Sequence, residues 1–187
     1  GRGLLRTYAD NRQGKGVNSD SLIRDSYEYY RDESHEGKTS DKTLLRHYAQ
    51  SCYYMALFYS SCDSTKQCED LLNQAIKGSE ECEDWHTCYL AYTQLGNVAV
   101  WSNPEHAIQQ TQKALSVYHE INDDVNNEVL ILALLAAKYL PVAEPDSALN
   151  YYMKGYELAN KNHLVKYQHQ ICMGIADYYN YIGNHEE

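Results

Sequence analysis

The chain has 187 residues, of which 43% are hydrophobic and 22% are charged, so it is long enough to bury a sizeable core as one domain or a short helical array. Its formal net charge of −10 argues against binding of nucleic-acid phosphates or an anionic membrane surface by this segment, because like charges repel. Uncharged apolar residues run only from Val129 to Ala137, whereas a membrane-spanning helix needs about 20.

Residues 1–40 are predicted to form an N-terminal helical unit that packs on the sequence after it. Residues 4–10 can form a short helix, and residues 11–18, with Gly14 and Gly16, a loop. Residues 21–32 predict a second helix, because four apolar side chains fall on one side at helical spacing: Leu22, Ile23, Tyr27 and Tyr30.

From residue 41 onward the sequence repeats itself with a period of about 40 residues, a length typical of helical-repeat arrays. Small residues mark four equivalent positions, where we expect close helix contacts: Ala56, Gly96, Ala136 and Ala176. A second set follows each of the first three, with spacings of four and then three that are typical of one helix face: Cys68, Leu72 and Ala75; Ala107, Thr111 and Ala114; Ala148, Tyr152 and Gly155. Each repeat is therefore predicted to contain two helices.

Residues that favour helix N-termini support this division. Asn103, Pro104 and Glu105 combine a capping side chain, a proline for the first turn and an acidic group near the positive helix end. Similar clusters stand at residues 40–41, 63–64 and 122–123, and Pro145 with Asp146 can open another helix. The predicted units are residues 41–80, 81–120, 121–162 and a partial fourth at 163–187, in one continuous solenoid with at least seven helices and no sheet.

The motif Leu135-Ala136-x-x-Tyr139, followed by Ala148-x-x-x-Tyr152-x-x-Gly155, resembles the tetratricopeptide repeat. The resemblance covers residues 41–187 and implies an all-α, right-handed superhelical solenoid of antiparallel helix pairs. The sequence departs from the family in its period, which is longer than the roughly 34 residues of a tetratricopeptide repeat, and in lacking the family's closing proline. These departures suggest longer helices or loops.

The stretches DSALNYYMKGYELA and GIADYYNYIGN are also similar to tetratricopeptide regions of bacterial membrane-tethered regulators and lipoproteins. In such proteins the helical array lies outside the cytoplasmic membrane, ahead of a transmembrane helix and a signalling module. The resemblance implies a periplasmic or cell-envelope location, with membrane contact only through segments outside this sequence. No signal peptide is visible and the chain begins at Gly1, so we expect it to be part of a longer protein.

The six cysteines include no C-x-x-C motif, so neither a zinc ribbon nor a redox pair is indicated. Three of them occupy repeat core positions and are expected to be buried free thiols: Cys52, Cys68 and Cys172. Two pairs could still form disulfides in an oxidising compartment, namely Cys62 with Cys68 and Cys82 with Cys88.

The sequence indicates no catalytic centre, cofactor or metal site. Cys82, His86 and Cys88 lie near one another, but zinc would need further ligands in fixed geometry. The acidic pairs at 80–81 and 123–124 are expected in turns between helices, where capping is their ordinary role. The Gly-Lys-Gly run at 14–16 lacks the P-loop pattern. We therefore expect no enzymatic activity.

In the tetratricopeptide family the first helices of successive repeats line a concave groove that accepts peptides or helices. The equivalent positions here are Tyr53, Leu57, Thr93, Asn97, Met173 and Asp177, with Ala133 and Ala137 between them. The family's basic clamp for C-terminal carboxylates is absent, since Tyr53 and Leu57 stand where Lys and Asn would be expected. A receptor for chaperone tails is thereby disfavoured.

The resemblance implies a non-enzymatic interaction scaffold with a protein or peptide partner, forming the sensory or partner-binding part of a larger bacterial signalling or regulatory protein. Two alternatives stay open. The groove side chains could simply pack against one another or against sequence outside this chain. The chain could also be a small-molecule-binding helical-repeat domain or an enzyme accessory domain, which would require a deep polar pocket with perturbed ionisable groups.

The C-terminal residues 164–182 predict the first helix of a fourth repeat without its second helix. Five apolar residues are then expected to lack part of a neighbour: Ile171, Ile175, Tyr178, Tyr179 and Ile182. We expect either a homodimer through this helix or fraying of the helix. In a longer protein, a further helix is expected to begin near residues 184–186.

Overall fold

The computed structural model describes residues 21–62, 64–121 and 124–183, which form eight α-helices and no strand. The helices are α1 (Ser21–Glu33), α2 (Lys42–Ser61), α3 (Thr65–Glu81), α4 (Trp85–Ala99), α5 (Pro104–Ile121), α6 (Val125–Tyr139), α7 (Pro145–Lys161) and α8 (Val165–Gly183). The prediction of an all-α fold with at least seven helices and no sheet is confirmed for these residues. The expectations for residues 4–18 and 184–186 lie outside them.

Successive helices pack as antiparallel pairs, as the tetratricopeptide resemblance implied. The chain divides into two compact units, residues 1–98 and 99–187. In the first unit α2 packs on α1 and α3, and in the second α6 packs on α5, α7 and α8. The right-handed superhelical course and the repeat boundaries stay predictions. Within the described ranges, no helix combines the length and apolarity needed to cross a membrane.

Polar side chains and prolines begin the helices close to the predicted positions. The Asp41 carboxylate accepts hydrogen bonds from the backbone N–H groups of Thr43 and Leu44, at 2.8 and 3.2 Å. The Asn103 side chain accepts one from the N–H of His106 at 3.1 Å, and Pro145 begins α7. These bonds satisfy N–H groups that have no partner inside the helix.

Two further helix ends differ from expectation. The capping residue of α6 is Asp124, whose carboxylate accepts from the N–H of Asn126. The cluster at 122–123 predicted for this role lies outside the described residues. Glu80 and Glu81, which were expected in a turn, form the end of α3, so that helix continues slightly further than the sequence indicated.

The first unit has its core between α2 and α3, where small residues bring the two helices together. A Cβ atom added at Gly78 would lie 3.1 Å from the Cβ of Ala49, tighter than ordinary van der Waals contact. The thiols of Cys52 and Cys68 are fully buried in this core, as predicted. Ala56 is also fully buried.

The turn from α1 to α2 contains three consecutive residues in the left-handed region, with φ of 50° at His35, 60° at Glu36 and 80° at Gly37. Only the third is a glycine, so two side chains adopt a conformation that costs free energy. A Cβ at Gly37 would lie 2.8 Å from the ring of Tyr48, and this close approach requires glycine.

The second unit buries one face of α6 against α7 and α8. Val129, Leu135 and Ala136 of α6 are fully buried, and Tyr152 of α7 and Ile171 of α8 complete this core. Glycines permit the close packing. A Cβ at Gly155 would lie 3.2 Å from Ile171 Cδ1 and 3.5 Å from Leu132 Cβ.

The expectations for α8 were partly wrong. Cys172 and Ala176, which the repeat register predicts to be buried, are both exposed. Ile171, Tyr178 and Tyr179 were expected to lack part of a neighbour; Ile171 and Tyr178 are buried, whereas Tyr179 is 61% exposed. The physical reason is that α8 uses one face against α6 and α7, while no described helix lies on the face that carries Cys172 and Ala176.

Candidate partner-binding surface

The first unit places α2 and α4 side by side and in the same direction. Gln50 Nε2, near the middle of α2, donates at 2.9 Å to Oδ2 of Asp84, the residue before α4. Further along both helices, Gln94 Nε2 of α4 donates to Ser60 Oγ, near the end of α2, at 3.4 Å. Lys42 Nζ donates to Glu83 Oε1 at 2.6 Å, which lowers the pKa of that carboxyl group. These bonds define a seam between α2 and α4, called the α2–α4 seam below.

Tyr53 and Leu57 lie on the side of α2 that faces this seam. Gln50, Tyr53, Leu57 and Ser60 follow one another at spacings of three, four and three, which places them on one helical stripe. The two ends of the stripe make the hydrogen bonds to α4. Both predicted residues are half-buried, and burial raises the pKa of the Tyr53 phenol above its usual range.

Thr93 and Asn97 lie one turn apart on α4 and are also half-buried. The Thr93 hydroxyl donates to the carbonyl oxygen of Tyr89 at 2.8 Å, so the side chain offers its methyl group rather than a donor. Asn97 follows Gln94 by three residues and therefore lies on the same side of α4 as that seam residue. The structure thus brings the four predicted residues of the first unit to adjacent helices.

The other predicted residues belong to the second unit. Met173 is 57% exposed and Asp177 is exposed, one turn further along α8. On α6, Ala133 is half-buried and Ala137 is exposed. Their membership of a binding groove stays a prediction.

A cleft of about 520 Å³ in the first unit was not foreseen from the sequence. It lies between α1, α2, α3 and the left-handed turn, and its lining includes Tyr27, Arg31, Tyr48, Gln74 and Lys77. Its polar groups bind one another or near neighbours: the Tyr48 hydroxyl donates to Gln74 Oε1 at 2.6 Å. The turn that forms one wall has no glycine at its first two left-handed positions, so glycine spacing in the sequence does not indicate it.

A second cleft, of about 500 Å³, lies between α5, α6 and α7 in the second unit. Its apolar lining is Leu115, Leu132 and Leu158, with charged side chains around it. Among these, His119 Nε2 lies 3.1 Å from Glu128 Oε1, and the ammonium group of Lys154 lies 5.2 Å from the Tyr151 ring centre. His119, Glu128 and Lys154 of this cleft therefore make local contacts.

The buried cysteines are poor nucleophiles. All six cysteines are free thiols, and burial raises the pKa of Cys68 to about 11 and of Cys88 to about 12. Such thiols stay protonated at neutral pH, and the thiolate is the reactive form. Among the described residues, no group of three or more His, Cys, Asp or Glu side chains is arranged to hold a metal ion.

The fold is all-α, with sequential antiparallel helix pairs similar to those of tetratricopeptide repeats. Its structure is similar to the crystal structure of aspartyl phosphate phosphatase F from Bacillus subtilis, with a TM-score of 0.74 over 97% of this chain and 14% sequence identity. The match covers 49% of that protein, so the chain spans about half its length. At this identity the likeness establishes the fold alone. No protein-family model and no curated protein sequence matches the chain.

Proposed function

We propose that this chain is a non-enzymatic protein-interaction scaffold that forms the partner-binding part of a larger signalling or regulatory protein. The observation that carries the proposal is the α2–α4 seam, where two parallel helices present half-buried Tyr53, Leu57, Thr93 and Asn97 beside each other. The fold likeness to a bacterial protein named as an aspartyl phosphate phosphatase supports a regulatory setting.

The side chains of the α2–α4 seam suit recognition of a polypeptide segment. The rings of Tyr53 and Tyr54 pack edge to face with their centres 5.2 Å apart, which limits the motion of a large amphipathic contact. Leu57 and the Thr93 methyl group add apolar area, and an amide such as that of Asn97 can pair with both groups of a peptide bond. A bound segment would bury apolar area against Leu57 and the Thr93 methyl group. The hydrogen bonds of the amide would fix the position of the segment along the two helices.

The absence of catalysis is part of the proposal. In the first cleft Tyr48 pairs with Gln74, in the second His119 pairs with Glu128, and burial raises the pKa of the fully buried Cys52 to about 12. Neither the described contacts of the two clefts nor Cys52 resembles a nucleophile beside a base that is oriented by a third group. Location at the cell envelope stays an expectation from the sequence resemblance, and the comparisons lend lipid anchoring no support.

The test compares wild type with a Tyr53→Ala, Asn97→Ala double variant. Partners captured from membrane-adjacent and soluble extracts would be identified, purified and titrated individually by fluorescence polarisation. We expect the double variant to lose roughly tenfold or more in affinity, because truncated aromatic contacts at an interface commonly cost over about 1 kcal/mol each.

The matched control is Asn150→Ala, which makes one of the same side-chain changes at an exposed position of α7. Circular dichroism would confirm that all variants keep their helices. Equal affinity of the wild type and the double variant for every purified partner would remove the α2–α4 seam from consideration.

A small-molecule-binding domain is the second candidate, and one observation favours it. The first-unit cleft of about 520 Å³ falls within the usual size range of ligand pockets. A thermal-shift screen of small molecules on wild type and a Gln74→Leu variant would test it. Stabilisation that is present in wild type and lost in the variant would support the cleft.

A further inference from the structure

The cleft of about 500 Å³ between α5, α6 and α7, called the second-unit cleft below, takes a short stripe of side chains from each helix. α5 and α6 each contribute two residues one turn apart: Leu115 with His119, and Glu128 with Leu132. α7 contributes residues 151, 154, 158 and 161, whose spacings of three, four and three place them on one helix face. Three helices of one compact unit therefore enclose this cleft together.

Leucine side chains from all three helices form the apolar part of the second-unit cleft. Leu132 is 6% exposed, and Leu115 and Leu158 are half-buried, so part of their apolar surface contacts water. Tyr151 adds an aromatic ring, which stacks on the Tyr139 ring with the ring centres 5.5 Å apart. An apolar group that enters the cleft removes this surface from water, and that burial is favourable.

The charged side chains of the cleft are unequally paired. Glu128 lies 3.1 Å from His119, so this acidic group already has a partner. The Lys154 ammonium group lies 5.2 Å from the Tyr151 ring centre, but neither Lys154 nor Lys161 makes an ion pair with an acidic residue in the described part of the chain, although Glu157 lies between them on α7. The chain has 26 acidic and 16 basic residues. Despite this acidic excess, the cleft retains two cations that can bind an anion.

These features together restrict the chemical class of the ligand. A lysine ammonium group has three donors and no acceptor, so its partner must be an acceptor such as a carboxylate. The three leucines require an apolar body without polar atoms. The formal net charge of −10 repels a polyanion more than a single negative charge. The volume of the cleft falls within the roughly 300–1,000 Å³ of ligand pockets.

We propose that the second-unit cleft binds an amphipathic carboxylate, an alkyl chain that ends in one carboxylate group. The alkyl chain lies on Leu115, Leu132 and Leu158. The carboxylate accepts hydrogen bonds from the ammonium groups of Lys154 and Lys161. This binding site goes beyond the proposed protein-interaction function, because the cleft belongs to the second unit and the α2–α4 seam belongs to the first.

The experiment titrates the full chain with decanoate, below the concentration at which decanoate forms micelles, and follows binding by isothermal titration calorimetry. We expect saturable binding of one molecule per chain. Acetate has the same head group without the alkyl chain and should show no saturable binding, because each buried CH₂ group raises affinity about fourfold. Decyltrimethylammonium has the same alkyl chain and the opposite charge, and it should bind roughly tenfold more weakly than decanoate or less.

A Lys154→Gln, Lys161→Gln double variant tests the location of the site. It should bind decanoate about three- to tenfold more weakly, because exposed charge pairs contribute modestly to affinity. The matched control is Lys66→Gln, Lys166→Gln, which removes the same two charges at exposed helix positions outside the cleft. It should bind decanoate as wild type does. Circular dichroism would confirm that both variants keep their helices.

The Tyr53→Ala, Asn97→Ala and the Gln74→Leu variants should also bind decanoate as wild type does, because these residues lie in the first unit. Failure of the α2–α4 seam or of the first-unit cleft is thereby distinguishable from failure of this proposal.

Three outcomes would overturn the proposal. The first is the absence of saturable decanoate binding. The second is equal affinity for decyltrimethylammonium, which would show that only apolar surface is recognised. The third is an equal loss of decanoate affinity in the two double lysine variants, which would show that the net charge of the chain matters and the cleft does not.

Discussion

The glycine at position 155 provides a quantitative test of the helix packing in the second unit. An added Cβ would lie 3.2 Å from Ile171 Cδ1, which is the flexible end of a side chain. It would lie 3.5 Å from Leu132 Cβ and 3.8 Å from the Val129 carbonyl oxygen, neither of which can rotate away. Gly155→Ala therefore requires a shift of only a few tenths of an ångström in Ile171, whereas Gly155→Leu requires the helices to separate.

The expected magnitudes follow from two opposing effects. Replacing glycine inside a helix by alanine or leucine stabilises the helix by roughly 1 kcal/mol. Overpacking a dense core costs about 1–3 kcal/mol, and contact with backbone atoms favours the upper end of that range. Gly155→Ala should thus stay within about 1 kcal/mol of wild type, and Gly155→Leu should lower the free energy of unfolding by about 2 kcal/mol.

Thermal unfolding by circular dichroism measures the effect. A loss of about 2 kcal/mol in a chain of this size corresponds to a fall in Tm of about 4–8 °C. Hydrogen exchange should show the loss in α6, α7 and α8. The control is Gly183→Leu, because no atom lies within 4 Å of a Cβ at that position. If Gly155→Leu is no less stable than Gly183→Leu, the close approach of α7 to α6 and α8 is wrong.

Three further predictions concern capping, thiol exposure and a buried charge. Asp41→Ala should cost about 1 kcal/mol in urea unfolding, whereas Ser64→Ala should cost much less, because only the former loses a capping hydrogen bond; equal losses would refute the assignment. In the native protein Cys172 should react with a thiol reagent rapidly and Cys52 slowly, since Cys172 is exposed and Cys52 is buried; the reverse order would contradict the exposure of Cys172 on α8. Burial lowers the pKa of Lys138 to about 8, so the unfolded chain holds more protons above that pH, and stability should rise from pH 8 toward 10. Lys138→Met should abolish that rise in a urea series and be more stable at pH 7 by up to roughly 3 kcal/mol; a rise that persists in the variant would exclude Lys138 as its source.

Local sequence patterns were sufficient to predict the helices. Capping residues and prolines place the start of a helix through contacts within one turn, as Asp41 and Pro145 show. The small residues Ala56 and Ala136 are buried as their spacing predicts, because helical periodicity decides which residues share a face. The extension of α3 through Glu80 and Glu81 was missed because helix ends depend on weak, competing local effects.

The candidate site could be predicted only in part. Spacing alone places Tyr53 and Leu57 on one face of α2, but it does not say what that face meets. Two hydrogen bonds of the α2–α4 seam, Gln50 to Asp84 and Gln94 to Ser60, join residues 34 apart in the sequence, whereas the equivalent positions Ala56 and Gly96 are one full repeat apart. The difference between this separation and the repeat period is set by how the two helices pack against each other. That packing depends on the volumes of all the side chains between them.

Cys172 and Ala176 show most clearly where the sequence stops determining this protein. They occupy the same repeat positions as Leu132 and Ala136, and the sequence correctly identifies the face that both pairs share. Leu132 and Ala136 are buried and Cys172 and Ala176 are exposed, because α7 covers this face of α6 and no described helix covers the same face of α8. The sequence by itself determined the helices, their capping and the faces they would bury. Only the tertiary structure decided which of those faces have a neighbour, because burial belongs to a pair of surfaces and periodicity describes one surface at a time.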